Sequence, residues 1–107
     1  MSLDVYLTNP DGEEIYWKNI THNLGKMAKE AGFYTYLWRP EEAGCRLACE
    51  IVGPIEDGLK LLKAEPEKFK KFSADNGWGT YEQFLPWLED YVLALKNNPK
   101  ATVTVSR

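Results

Sequence analysis

The sequence is short of the residues on which most site chemistry is built. It has one histidine, two cysteines and two methionines in 107 residues. His22, Cys45 and Cys49 are too few for an ordinary metal ligand set, so no metal and no cofactor is expected. No P-loop or G-x-G-x-x-G occurs, and Ser2, Ser73 and Ser106 lack a G-x-S-x-G frame. That removes the familiar phosphate cradles and the usual hydrolase nucleophile. Glu41 and Glu42 are adjacent, so their carboxylates diverge and form no acid–base dyad. No apolar run approaches the ~20 residues a membrane span needs. The N-terminal "MSLDVYLTNPDGEE" carries no basic segment followed by an apolar one, so no signal peptide is expected. Cys45 and Cys49, at i and i+4 in "CRLAC", are poorly placed for a disulfide, and free thiols in a reducing cytoplasm are the expectation. Excess charge is also missing. The net charge is −3, and the lysines of "LKLLKAEPEKFKKF" alternate with Glu65 and Glu67, as on a solvated helical face rather than a groove for duplex nucleic acid.

What is present reads as one domain, residues 1–107, with a single modest core. "LDVYLTNPDGEEIYWKNI" alternates, turns at "NPDG" and resumes, which predicts a β-hairpin. "ATVTVSR" alternates again and predicts a strand paired with it. Between them the spacing is helical. Ile20, Leu24, Met27, Ala28 and Ala31 make one stripe, with Thr21 as N-cap and Gly32 as the stop. "EEAGCRLACEIV" is expected to be a helix that breaks at Gly53-Pro54, where "PIEDGLKLLKAE" begins another. "PEKFKKF" presents Phe69 and Phe72. Thr80 and Gln83 form a capping-box pair ahead of the stripe Tyr81, Phe84, Leu85, Leu88, Val92 and Leu95, with a kink expected near Pro86. The fold class is α+β: a small antiparallel sheet packed against about four helices.

Three corners carry chemistry. Asn19, His22, Asn23 and Lys26 recur at helical spacing near a helix start, where amides, an imidazole and an ammonium suit an anion. The bland alternative is a cap with a solvated face, and Gly25 points to a close approach by another backbone or a ligand. In "LWRPEE", Trp38 and Arg39 either stack on a ring and grip its phosphate, or pack in the core and pair with Glu41 or Glu42. In "NGWGTYE", Asn76, Trp78, Thr80 and Tyr81 offer polar contacts and ring faces around flexible glycines, or simply a turn and a cap. Four tryptophans in so short a chain also suit a homo-oligomeric interface. His22 has no evident nucleophile to serve as a base, so binding is favoured over catalysis.

Together, "MSLDVYL", "NITHNLGKMAKEAGFY", "LWRPEE", "NGWGTYEQFLPWLEDY" and "VTVSR" resemble a family of small bacteriophage and bacterial proteins with no assigned activity. The resemblance spans nearly the whole chain and implies a setting, the cytoplasm of a bacterial host. By analogy of type, small phage domains with aromatic, Arg-lined pockets are similar to counter-defence sponges that sequester nucleotide immune signals. The expectation is a non-enzymatic protein holding a small, anionic, nucleotide-like ligand. The alternatives are an adaptor or inhibitor acting through an aromatic patch that includes Trp17, Trp38 or Trp87, and a small hydrolase or transferase using His22.

Overall fold

The computed structural model describes residues 2–73 and 77–107. Strand β1 (Ser2–Thr8) alternates buried and half-buried, and β2 (Glu14–Thr21) returns antiparallel beside it. Asn9 closes the turn, its carboxamide oxygen accepting from the backbone N–H groups of Asp11 at 3.1 Å and Glu13 at 2.9 Å. Strand β3 (Thr102–Ser106) pairs antiparallel with the other side of β1, giving the order β2-β1-β3. Leu3, Val5, Leu7, Ile20 and Val103 are buried, so one face of the sheet belongs to the core. With the helices described next, this is an α+β fold.

Chain entry into the helices is tighter than the apolar stripe suggests. Ile20 and Thr21 still belong to β2, and Thr21 caps a single 3₁₀ turn, His22–Leu24, by accepting from the Asn23 N–H at 3.3 Å. Helix α1 (Gly25–Glu30) follows, and a Cβ at Gly25 would lie 3.3 Å from the Tyr34 ring, so the group near this glycine is a side chain rather than the backbone or ligand its sequence position suggested. Helix α2 (Tyr34–Trp38) leads to a second 3₁₀ turn, Pro40–Ala43.

Two expectations are corrected here. "EEAGCRLACEIV" is not one helix: Cys45 precedes helix α3 (Ala48–Ala64), and Leu47 bridges to Thr102 of β3. Nor does α3 break at Gly53-Pro54; it runs through both. A proline there leaves the carbonyl of Glu50 without its i+4 donor. The Cys45 sulfur lies 3.9 Å from that oxygen and 3.7 Å from the Ala43 carbonyl, so its single weak S–H is shared between the two. Helix α4 (Pro66–Lys70) buries Phe69, and α5 (Tyr81–Asn97) packs against α3. The capping box is as the spacing predicts: Thr80 Oγ1 accepts from the Gln83 N–H at 3.2 Å and Gln83 Oε1 accepts from the Thr80 N–H at 3.1 Å.

Helix α5 also reaches over the free side of β2. The Tyr16 hydroxyl donates to Asp90 at 2.7 Å and the Lys18 ammonium lies 3.5 Å from the same carboxylate. The Tyr16 hydrogen bond, with the Lys18 charge added, holds Asp90 below its ordinary pKa. Arg107 does the same for Glu41, and the backbone N–H groups of Arg46 and Leu47 for Glu50. Carboxylates lowered in the folded state stabilise it fully above their ordinary range and stop doing so as pH falls through the lower folded values. Melting temperature is therefore expected to be level near neutrality and to fall below about pH 4. Asp90→Asn should flatten part of that acid limb; an unchanged acid limb would show that Asp90 has no share in it.

Candidate functional site

The junction between β2 and α1 lies between two clefts. The first, about 610 Å³, is lined by residues of β1, β2, the 3₁₀ turn, the loop at 77–80 and α5. Asn19, His22, Asn23 and Trp78 all line it, together with Gln83 and Trp87, and none of its described lining residues carries a formal charge. The second, about 430 Å³, is lined by His22, Lys26, Lys29, Tyr34, Trp38, Arg39 and Arg107. His22 is common to both. A neutral, indole-bearing cleft and a strongly cationic one thus share a wall.

The first cleft is built by fixing the Trp78 loop from behind. The Asn23 carboxamide N–H donates to the Trp78 carbonyl at 2.9 Å. Gly79, buried with φ +99°, lies so close that a Cβ would meet Thr21 Cγ2 at 2.9 Å and Asn23 Cβ at 3.1 Å. With its backbone held in this way, Trp78 keeps 71% of its surface exposed. Trp87 is half-buried on α5, and its indole N–H donates to the Asn19 carbonyl at 2.9 Å, covering the free edge of β2 at that point.

In the second cleft, the Trp38 indole N–H donates to Nδ1 of His22 at 2.9 Å. An indole nitrogen only donates, so Nδ1 is the acceptor and the neutral ring carries its proton on Nε2. His22 therefore offers a donor, not a base, at its other nitrogen. Arg39 is bound to Glu42 at 2.7 Å and Arg107 to Glu41 at 3.0 Å. Among the described residues neither Lys26 nor Lys29 has a carboxylate partner; the Lys29 ammonium sits 4.6 Å over the Tyr34 ring. The cleft keeps an excess of positive charge even after the two glutamates are counted.

Several candidates take other roles than a direct ligand contact or lie outside the clefts. Trp38 is 1% exposed and stacks on Tyr34 with centroids 5.3 Å apart, so its ring is a core ring and its contribution is the N–H that orients His22. Tyr81 is likewise buried, its hydroxyl donating to the Leu62 carbonyl at 2.7 Å. Thr80 is the cap of α5 and lines neither cleft. Asn76 lies outside the described residues. Arg39 takes the ion pair with Glu42 that its sequence context allowed.

Lys29, Arg107 and Gln83 were not singled out by the sequence as site residues, and Trp87 only as part of an aromatic patch for a partner. Lys29 repeats Lys26 at i+3, a signal that was available. Gln83 was absorbed by its capping role, and Arg107 reaches the site only through the pairing of β3 with β1. Among the described residues no group of three His, Cys, Asp or Glu could hold a metal ion, and no helix is long and apolar enough to cross a membrane. No protein-family model, curated protein or solved structure matches the chain.

Proposed function

We propose that the protein binds and retains a small ligand with a ring at one end and an anionic group at the other, most simply a nucleotide. The observation that carries this reading is the sharing of His22 between a neutral cleft bearing two indoles and a cationic cleft bearing Lys26, Lys29, Arg39 and Arg107. A base stacked near Trp78 and Trp87 leaves its phosphates within reach of the lysines, with His22 Nε2–H donating between them. Retention needs no reacting group, and the His22 tautomer is unsuited to one that abstracts protons. In the setting implied by the resemblance to small phage proteins, the role is sequestration of a nucleotide-derived immune signal in the cytoplasm of a bacterial host. The open side of the Trp78 cleft leaves room for a second copy of the chain to close over the ligand. Native mass spectrometry of the purified protein with a panel of linear and cyclic nucleotides tests the reading. A retained nucleotide mass at fixed stoichiometry is expected, and the same spectrum gives the subunit number. Bare protein across the whole panel would count decisively against it.

A second reading is favoured by one feature. Trp17, 55% exposed, and Ile15 stand uncovered on β2, apart from either cleft. If the protein acts on a macromolecular partner, Trp17→Ala should remove biological activity and Trp78→Ala should leave it intact. The nucleotide reading requires the reverse.

A further inference from the structure

The two edges of the sheet are finished differently. On β2 the ladder slips between Leu7 and Thr8, and Trp87 covers the Asn19 carbonyl, so that edge is blunted against further pairing. On β3 the register with β1 is unbroken. Its outward groups are paired over the first half only: the Val103 N–H donates to the Arg46 carbonyl at 2.7 Å, and the Ala48 N–H to the Ala101 carbonyl at 2.9 Å. Residues 46–48 thus form a strand stub running antiparallel to β3. Before the stub the chain turns away, with the Cys45 N–H given to the Pro40 carbonyl at 3.0 Å. Alternate residues of an antiparallel strand direct both backbone groups to the same side. Those of Val103 point away from β1, so those of Val105 do too. Among the described residues neither group of Val105 has a partner, and Val105 lines a groove of about 400 Å³ beside the strand.

Pro40 and the half-buried Cys45 line this groove with β3, and the pairing of Arg46 with Val103 sets Arg46 at its inner end. Glu41, also in the groove, is matched by Arg107 at 3.0 Å. Arg46 has no ion pair among the described residues, and Glu50 spends its Oε1 on the backbone N–H groups of Arg46 and Leu47. We propose that the groove binds the last residues of an extended peptide ending in a free carboxylate, added antiparallel to β3. A strand laid antiparallel on Val105 runs toward Arg46, and the stub already occupies the edge beyond, so the added chain has to stop or leave the sheet there. A terminal carboxylate at that point meets both the Val105 N–H and the Arg46 guanidinium. A parallel strand would bring an ammonium to the same cation. The last side chain lies on the Val105 face of the sheet, against Pro40 and Cys45, which suits an apolar residue. The site is independent of the nucleotide reading.

The test presents the protein with a pool of synthetic hexapeptides of random sequence, made once as free acids and once as C-terminal amides, and reads retention by affinity mass spectrometry. Wild-type protein is expected to retain members of the acid pool. Amidation of those members should weaken them by about tenfold or more, through loss of a charge-assisted contact. Arg46→Ala, at an exposed position, should weaken the acids by about tenfold. Val105→Pro deletes the outward N–H without breaking a ladder bond, so it should abolish retention while circular dichroism shows the fold intact. Acids and amides held equally, acids held unchanged by Arg46→Ala or by Val105→Pro, or nothing held from either pool would each overturn the proposal. So would an unliganded dimer that Val105→Pro splits, which would give the edge to a second copy of the chain.

Discussion

Gly79→Ala is expected to weaken nucleotide binding at least tenfold while the protein stays folded, and Gly77→Ala, two residues away, is expected to leave binding nearly intact. Both glycines have positive φ, +99° at Gly79 and +78° at Gly77, so alanine costs about 1–2 kcal/mol of local backbone energy at either. Only Gly79 has neighbours in the way. A Cβ there would lie 2.9 Å from Thr21 Cγ2, 3.1 Å from Asn23 Cβ and 3.3 Å from Leu24 Cγ, while at Gly77 nothing among the described residues beyond its chain neighbours lies within 4 Å. The strand and 3₁₀ turn behind Gly79 are anchored by the buried Ile20 and Leu24, so the 77–80 loop is the part that must move. Moving it breaks the Asn23–Trp78 carbonyl bond and carries the exposed indole away from the cleft. Loss of one base–indole stack is worth about 1–3 kcal/mol, or roughly ten- to a hundredfold in affinity. Fluorescence titration of the two variants, with circular dichroism confirming the fold, separates the effects. Equal losses in both would mean that the seating of the loop against β2 does not matter to the ligand.

The largest effect on stability belongs to a second pair of glycines, both inside α3. A Cβ at Gly58 would fall 2.1 Å from Cδ1 of Phe33, a fully buried ring that stacks on Phe84 with centroids 5.9 Å apart. The contact joins the loop after α1 to the α3–α5 pair, and interiors at crystal-like density have no slack to absorb it. Gly58→Ala should therefore destabilise the fold by about 1–3 kcal/mol, lowering Tm by roughly 5–15 °C. At Gly53 a Cβ meets nothing within 4 Å among the described residues beyond its chain neighbours Val52 and Pro54. Gly53→Ala gains helix propensity but sets a Cβ against the Pro54 ring, which disfavours a helical conformation in the residue before it, so stability should stay within about 1 kcal/mol of wild type. A clear loss at Gly58 beside a small change at Gly53 would come from the Phe33 contact. No loss at Gly58, seen in thermal melts, would show that Phe33 is free to repack.

What could be read from the sequence was local. The hairpin, the terminal strand and the Thr80–Gln83 box were legible because alternation, an Asx turn and a cap act over a few residues. Thr21 was correctly placed as a cap, but of a 3₁₀ turn rather than a long helix, because β2 extends through Ile20 to complete its pairing with Leu3. The continuity of α3 through Pro54 was not legible. The carbonyl that proline orphans meets a thiol brought there by the turn before the helix. Trp38 and Trp78 could not be told apart by composition, since an indole serves a core and a stacking site through the same surface. The tertiary arrangement gave one the core and the other solvent. That His22 joins two clefts, one completed by Lys29 and Arg107 and the other by Gln83 and Trp87, depends on strand order and on the crossing of α5, which no short window contains.

The central claim is that a single ligand spans both clefts, its ring in the neutral one and its charge in the cationic one. It is tested most directly by titrating wild-type protein, Trp78→Ala and Lys26→Ala with guanosine and adenosine and with their 5′-monophosphates. Trp78→Ala should weaken nucleoside and nucleotide by the same factor. Lys26→Ala should weaken the nucleotides alone, by about tenfold for a lost charge-assisted contact, and leave the nucleosides as they were. If Lys26→Ala affects nucleoside and nucleotide equally, or neither, the two clefts do not share a ligand and the account is wrong.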